Sequence, residues 1–177
     1  CDDISFDLYQ GEILGIVGES GSCKSTLLKC LSGQISPSQG IINFCIDQNQ
    51  PLQDLCKISE QKKRALMRTE WGIVQQNPRD GLRLRVSAGG NIAERIINEE
   101  IKNYSNIRHK ALEWMDKTEM EKSRIDDFPL NFSGGMQQRL QISKILSSNP
   151  KLVYMDEPTG GLDVSVQAKL LDTITII

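Results

Sequence analysis

The chain has 177 residues, enough for one domain with a hydrophobic core. Its content of 38% hydrophobic and 25% charged residues is that of a soluble globular protein, which excludes the disordered and fibrous classes. A net charge of −2 without a basic block argues against nucleic acid as a main ligand. No apolar run approaches the roughly 20 residues that a membrane-spanning helix needs.

The cysteines are odd in number, lie in the first third of the chain and include no closely spaced pair. This pattern is unlike a disulfide framework or a zinc site, so we expect reduced thiols and a cytoplasmic location. The cysteines are Cys1, Cys23, Cys30, Cys45 and Cys56.

Both ends of the chain have the pattern of an interrupted domain. Position 1 is cysteine, a strand-like alternation already begins at residue 4, and the last six residues stop within an apolar stretch. We therefore expect the chain to be a fragment of a longer domain, truncated at both ends.

The first part of the chain carries strand and helix signals in turn. Alternating apolar and polar residues predict a half-buried strand, and a short apolar run predicts a buried parallel strand. In chain order we expect strands over 4–9 and 12–17, a helix over 24–31, a strand over 41–46 and a helix over 58–68.

The second part is mostly helical and polar before strand character returns. We expect a strand over 72–74, a long loop over 77–90 and a mostly helical segment over 91–127, whose apolar face packs in the core. We expect a helix from Ser133 to about Leu146, a strand over 152–155 and helix from residue 164 onward.

A glycine- and serine-rich loop joins the second predicted strand to the first predicted helix. This order is typical of a phosphate-binding loop, in which backbone N–H groups and the helix N-terminus face phosphate oxygens. Lys24 is then placed to reach the β- and γ-phosphates, and the Ser25 hydroxyl to bind Mg²⁺. The predicted nucleotide-binding residues are Gly18, Ser20, Gly21, Ser22, Cys23, Lys24, Ser25 and Thr26.

Cys23 stands where this loop pattern has glycine. A Cβ there brings a steric clash or an unfavourable backbone conformation. Three interpretations stay open: a sequencing or single-base change, a tolerated variant with weaker binding, and a dead site. The first two together are favoured over the third, because the other catalytic positions are intact.

Two acidic residues follow the apolar run 152–155 directly. The carboxyl ends of parallel strands are where open α/β sheets bind ligands. Asp156 is predicted to hold Mg²⁺, and Glu157 to position and polarise the attacking water. An ordinary capping or surface acid pair before Pro158 is the weaker alternative.

Gln76 follows the predicted strand 72–74 and is predicted to contact both the metal and the water. Gln75 is the adjacent competitor. We prefer Gln76 because Asn77-Pro78 follows it directly.

Ser133-Gly134-Gly135 opens the helix that follows the polar segment. Such a start offers a hydroxyl, bare backbone N–H groups and the helix dipole to a second phosphate. A simple helix cap is equally plausible for this segment alone, and the flanking motifs favour the phosphate role.

Taken in order, these segments resemble the nucleotide-binding domain of ABC ATPases. The resemblance covers essentially the whole chain and implies an α/β P-loop NTPase fold with a mostly parallel sheet core and an inserted helical subdomain. The motifs are the phosphate loop 18–26, Gln76, a signature over 132–139, the acidic strand 152–157 and a dimer-contact loop over 160–163. The implied divisions are a nucleotide-binding core over 1–76 and 150–177 and a helical signature subdomain over 77–149.

The resemblance also implies the partners, cofactors and residue roles. Two such domains, identical or different, sandwich two ATP molecules with Mg²⁺, each signature facing the phosphate loop of the other domain. Glu157, Gln76 and Lys24 are then catalytic. Ser25, Gln76 and Asp156 contact Mg²⁺; Ser133, Gly134, Gly135 and Gln137 contact the ATP of the partner; and Asp163 lies in the dimer loop.

Two family elements have no counterpart in the chain. The aromatic residue that stacks on adenine would precede residue 1, and the switch histidine would follow Ile177. His109 lies in the helical insertion and cannot replace that histidine. We therefore expect that the chain does not hydrolyse ATP normally by itself.

The stretch 77–92 is similar to the ATP-binding subunits of phosphonate carbon–phosphorus lyase systems. That similarity implies a soluble partner, the lyase core complex, which an arginine-rich loop containing Arg79, Arg83 and Arg85 would contact through acidic groups. A solvated loop face is an equally good interpretation of these arginines. The alternatives are an ATPase subunit of a dipeptide or oligopeptide importer, membrane-associated through its permeases, and a non-hydrolysing nucleotide-binding module because of Cys23.

Overall fold

The computed structural model describes residues 2–46, 51–97, 103–160, 167, 168 and 172. They divide into two compact units, Cys1–Met67 and Arg68–Ile177. In the described part of the chain, no helix is long and apolar enough to span a bilayer.

The first unit contains one helix after the phosphate loop and a small antiparallel strand pair. Helix α1 spans Lys24–Leu31, which confirms the predicted helix at both of its ends. Strand β1 (Asn43–Phe44) pairs with β2 (Gln53–Asp54). Helix α2 (Glu60–Thr69) follows and continues into the second unit.

The strands predicted over 4–9 and 12–17 are not formed, and that prediction was wrong for this structure. Both segments are irregular and exposed. Neither is paired with another strand within the ranges that the structure describes. Alternation indicates which side chains suit a sheet face, but a strand also needs a neighbour for its backbone groups. The predicted strand 41–46 is likewise reduced to the two residues of β1.

The second unit is built on two parallel strands. Strand β3 (Trp71–Val74) pairs in parallel with β4 (Leu152–Met155), and the register places Val74 opposite Met155. Both strands were predicted, and β4 has the predicted bounds. The pairing extends one residue further, because the backbone N–H of Asp156 donates to the carbonyl of Val74 over 3.2 Å.

Four helices in the described part of the second unit pack together, and the last of them contacts β3. They are α3 (Pro78–Gly81), α4 (Ala88–Ile96), α5 (Tyr104–Lys117) and α6 (Gly134–Leu146), with 3₁₀ turns at Lys122–Arg124 and Pro129–Asn131. Helix α6 is the most enclosed of them: residues 137, 138 and 140–146 are all buried. Its apolar residues join two core clusters, one with α4 and α5 and one with β3.

The loop predicted over 77–90 contains helical structure, which corrects that prediction. Asn77 caps α3 by accepting a hydrogen bond from the Arg79 N–H, and Ser87 caps α4 by accepting from the Gly90 N–H. Gly89 serves close packing here: its N–H donates to the Ile125 carbonyl over 2.8 Å, and a Cβ on it would lie 2.7 Å from Ile125 Cγ1. Gly89, a residue type that is typical of loops, is therefore required by the close approach of α4 to Ile125.

An ion network ties α3, α4 and α6 together. The buried Lys144 Nζ donates to Glu94 Oε2 over 3.0 Å and to the Gly81 carbonyl over 3.1 Å, and Arg83 contacts Glu94 Oε1 at 2.7 Å. Burial raises the pKa of Glu94, but the hydrogen bonds and charges of Lys144 and Arg83 outweigh it and hold the pKa below its ordinary value of 4.5.

We expect Glu94→Gln to lower the free energy of unfolding at pH 7 by about 1 kcal/mol, because Lys144 stays buried with one partner fewer. The cost is well below that of a fully enclosed pair, since Glu94 is about a third exposed. A lowered carboxyl pKa contributes stability above pH 4.5 that is lost as pH falls through the folded-state value. Denaturant unfolding should therefore show a weaker acid dependence in the variant.

Asp116→Asn is the matched control, because Asp116 pairs with Lys122 on the surface. Its effect should stay within about 0.5 kcal/mol. An equal loss of stability in both variants would contradict a special role for the Glu94 network.

Candidate nucleotide-binding and catalytic site

The phosphate loop is organised around the ammonium group of Lys24. Lys24 Nζ donates to the Gly18 carbonyl over 2.8 Å and to the Glu19 carbonyl over 2.7 Å. Residues 18–22 are exposed, and the N–H of Ser22 closes a turn on the Glu19 carbonyl. The lysine charge is thus held beside an exposed loop at the N-terminus of α1, a chemistry suited to phosphate oxygens.

Cys23 has the left-handed backbone conformation in this loop, with φ 64° and ψ 21°. Glycine adopts this conformation freely, whereas a side chain raises its free energy by about 1–2 kcal/mol. The thiol is exposed and lies 3.7 Å from the Gly21 carbonyl. The loop therefore keeps, at some strain, the backbone that glycine would give it.

The hydroxyl residues of the loop begin α1. Ser25 is half-buried and Thr26 is exposed in the first turn of the helix. Hydroxyl oxygens in the first turn of a helix that directly follows the Lys24 loop fit a magnesium–nucleoside phosphate.

In the second unit, the ends of β3 and β4 bring Gln76 and Glu157 together. Gln76 Nε2 donates to Glu157 Oε2 over 2.9 Å, and both side chains are exposed. The half-buried Asp156 directly precedes Glu157. An amide and a carboxylate thus meet at the carboxyl edge of a parallel strand pair.

The adjacent residue, Gln75, is bonded to α6 through its backbone. The backbone N–H and carbonyl of Gln75 both form hydrogen bonds with the side chain of Gln141. With its amide nitrogen donating to Glu157 Oε2, Gln76 also has an amide oxygen, a group that can bind a metal ion. Carboxylate and amide oxygens are ligands that Mg²⁺ prefers, so the side chains of Asp156 and Gln76 in the second unit fit that ion.

The backbone turns sharply at Glu157. Its φ of 47° is in the left-handed region, and its carbonyl accepts a hydrogen bond from the Gly160 N–H over 3.0 Å. This turn ends the strand and presents the carboxylate at its tip. Unfavourable backbone conformations of this kind are concentrated at functional sites.

The signature segment begins α6 with an exposed, open start. Ser133 is the N-cap and its Oγ accepts from the Met136 N–H over 3.3 Å. Ser133 and Gly134 are exposed, and an added Cβ on Gly134 would meet no atom within 4 Å. The hydroxyl is thus a helix cap here, and the helix N-terminus is accessible to a ligand.

Gln137 lies differently from the other signature residues. Its side chain is buried, and Nε2 donates to the carbonyls of Pro129 and Phe132 over 2.7 and 3.3 Å. This amide stabilises the turn that leads into α6. The prediction that Gln137 contacts the nucleotide of a partner has no support from this geometry.

Two buried glutamines of α6, Gln138 and Gln141, were not predicted as functional residues. Gln138 Nε2 donates to the Pro158 carbonyl over 3.1 Å, and Gln141 pairs with Gln75. Polar residues three positions apart on a helix usually indicate a solvated face. Nothing in the sequence around these two glutamines distinguishes them from exposed ones.

Four further predicted residues belong to the dimer loop and the arginine-rich loop. Asp163 of the dimer loop lies outside the described residues. Arg79 and Arg85 are exposed, as the arginine-rich loop requires. Arg83 is exposed too, but it already pairs with Glu94.

Comparison with known proteins shows where these features occur together. A family model described as ABC transporter matches residues 1–160. The chain is 56% identical over 172 residues to the putative phosphonates utilization ATP-binding protein PhnK of Escherichia coli, covering 97% of this chain and 66% of that protein. It is 35% identical over 175 residues to the dipeptide transport ATP-binding protein DppD of Escherichia coli, covering 98% and 53%. The chain thus spans about half to two thirds of the length of these relatives.

Solved structures agree in fold. A dimeric ATP-binding cassette in a post-hydrolysis state, bound to ADP and Pi, superposes with a TM-score of 0.84 at 26% identity, over 96% of this chain and 70% of that one. The cbiO1 protein from Clostridium perfringens, part of the ABC transporter complex cbiONQ, gives a TM-score of 0.76 at 26% identity, over 98% and 64%. The chain therefore belongs to the ABC transporter family and has the α/β P-loop NTPase fold of its ATP-binding cassettes.

Proposed function

We propose that this chain is the ATP-binding and ATP-hydrolysing part of an ATPase subunit that serves phosphonate breakdown by a carbon–phosphorus lyase system. The observation that carries the phosphonate assignment is the 56% identity to the phosphonates utilization protein, against 35% to the dipeptide transport protein. The hydrolytic assignment is supported by the 2.9 Å contact between Gln76 and Glu157.

The residues divide the work by their chemistry. Lys24 and the loop N–H groups bind phosphate oxygens, and Ser25, Gln76 and Asp156 hold the metal. Bound Mg²⁺ would neutralise charge on the phosphates while the terminal phosphoryl group is transferred from ATP to water. Glu157 accepts a hydrogen bond from that water, and Gln76 fixes the carboxylate in place.

Hydrolysis by a pair of domains follows from the same assignment. A solved ATP-binding cassette that superposes on this chain with a TM-score of 0.84 is dimeric. The exposed N-terminus of α6, with Ser133 and Gly134, is suited to phosphates supplied by a second ABC ATPase domain. We also retain the division into a nucleotide-binding core (1–76 and 150–177) and a helical subdomain (77–149), because α3 to α6 all lie within the latter.

We expect Glu157→Gln to bind Mg-ATP with little change and to lower kcat at least 100-fold, because the amide cannot accept a proton from water. The amide oxygen can still accept the hydrogen bond from Gln76, so the local geometry is kept. ATP binding and steady-state turnover of the intact protein measure the two effects, and size-exclusion chromatography should show an ATP-bound dimer.

The matched control is Glu119→Gln, an exposed glutamate of the same unit that also has a positive φ. Turnover there should equal that of the unmodified protein. Near-normal turnover of Glu157→Gln would exclude Glu157 as the key group.

We expect Cys23→Gly to tighten Mg-ATP binding by roughly five- to tenfold, because the Cβ of Cys23 crowds the backbone that would face the phosphates. A glycine holds the left-handed conformation without strain and leaves the backbone open to phosphate. Cys23→Ala keeps the Cβ and should bind like the unmodified protein. Isothermal titration calorimetry on the three proteins tests this, and equal affinities would show that the loop tolerates cysteine without cost.

Should Cys23 block turnover altogether, the protein is a nucleotide-binding module and Cys23→Gly would restore hydrolysis. Unchanged, measurable turnover in both proteins contradicts that alternative.

We expect the partner to be the lyase core complex in the cytoplasm, which the exposed Arg79 and Arg85 would contact. Affinity purification of the tagged intact protein should recover lyase subunits, and Arg79→Glu with Arg85→Glu should reduce their recovery by charge reversal. Stable recovery of membrane permeases instead would favour the importer alternative, which the similarity to dipeptide and oligopeptide transport proteins supports.

A further inference from the structure

Gln141, buried in the middle of α6, bonds both backbone groups of one residue in another segment. Its Oε1 accepts from the Gln75 N–H over 2.9 Å, and its Nε2 donates to the Gln75 carbonyl over 3.0 Å. Its side chain has no exposed surface. A primary amide thus pairs with a backbone amide as a neighbouring strand would.

The hydrogen bonds of Gln141 to Gln75 lie one residue beyond the end of β3. The last hydrogen bond between the strand segments joins the Asp156 N–H to the Val74 carbonyl. Gln75 follows Val74, and Gln76, which contacts Glu157, follows Gln75. The side chain of Gln141 therefore fixes the peptide units from which Gln76 projects.

The surroundings of Gln141 leave it little freedom. A Cβ on Gly81, at the end of α3, would lie 2.8 Å from Gln141 Cδ, so the absence of a side chain there makes the room. One turn along α6, Lys144 Nζ donates to the Gly81 carbonyl and draws α3 against the glutamine. A side chain enclosed in this way holds its partner to a narrow range of positions.

The same helix holds the other side of the contact. Gln138, three residues before Gln141, donates to the carbonyl of Pro158, which follows Glu157. The segments carrying Gln76 and Glu157 are thus both bonded to side chains of α6, on either side of the 2.9 Å contact.

We propose that Gln141 is a positioning residue for ATP hydrolysis, which holds Gln76 in contact with Glu157. This rests on the proposed function. Gln141 acts through Gln75 and Gln76, so its loss should slow the chemical step and leave nucleotide binding by the phosphate loop intact.

The test is a double-mutant cycle in the intact protein, with Gln141→Met and Gln76→Ala. Methionine fills the space of glutamine but forms no strong hydrogen bond. We expect Gln141→Met alone to lower kcat roughly tenfold, with the dissociation constant for Mg-ATP changed by less than about twofold. In the Gln76→Ala background, the same substitution should lower kcat no further.

Ser143→Ala is the matched control. Ser143 is also fully buried on α6. Its Oγ forms a hydrogen bond with Thr118 at the end of α5, and not with the segment that follows β3. It should lower the melting temperature while kcat stays unchanged. Should Gln141→Met fail to fold, Gln141→Glu keeps the acceptor for the Gln75 N–H and loses the donor, and the same decrease and the same non-additivity are expected.

Additive effects of the Gln141 and Gln76 substitutions would overturn the inference, as would an unchanged kcat in Gln141→Met. The proposed function is judged separately by Glu157→Gln. If that variant retains normal turnover, the assignment of hydrolysis to this site fails; if it is slow while Gln141→Met is normal, only the positioning role fails.

Discussion

Parallel pairing of β3 with β4 decides where the reactive side chains lie. With Val74 opposite Met155, the residues two positions beyond each strand are Gln76 and Glu157. A one-residue shift of register would reverse the direction of every side chain on one strand. The contact between the amide and the carboxylate is therefore a consequence of register, and the acid before it, Asp156, still belongs to the backbone ladder.

Helix α6 bonds the chain segments that follow the two strands. Its N-terminus is exposed at Ser133, while its body is buried against β3, α4 and α5. Close packing makes such a helix move as a rigid element. One helix thus joins an accessible N-terminus to the buried glutamine side chains that bond the segments after β3 and β4.

Local signals predicted the helix Lys24–Leu31, the strand Leu152–Met155 and the start of α6, because each depends on residues adjacent in sequence. The strands expected over 4–9 and 12–17 depend on pairing with distant segments, which alternation does not report. The predicted helical segment began three residues after the start of α4, because Gly89 resembles a loop residue until its contact with Ile125 is seen. The contact of Gln141 with Gln75 could not be predicted either, because the two residues are 66 positions apart in the sequence.

The hydrogen bond from the Gln75 N–H to Gln141 also allows displacement of α6 to be measured at one backbone amide. Amide hydrogens within a sheet exchange with solvent when the strands separate. The Gln75 N–H is protected by a side chain of α6, so its exchange follows the departure of the helix from the strand end. Deuterium uptake at this single position, compared with that at Val74, would separate displacement of the helix from opening of the sheet.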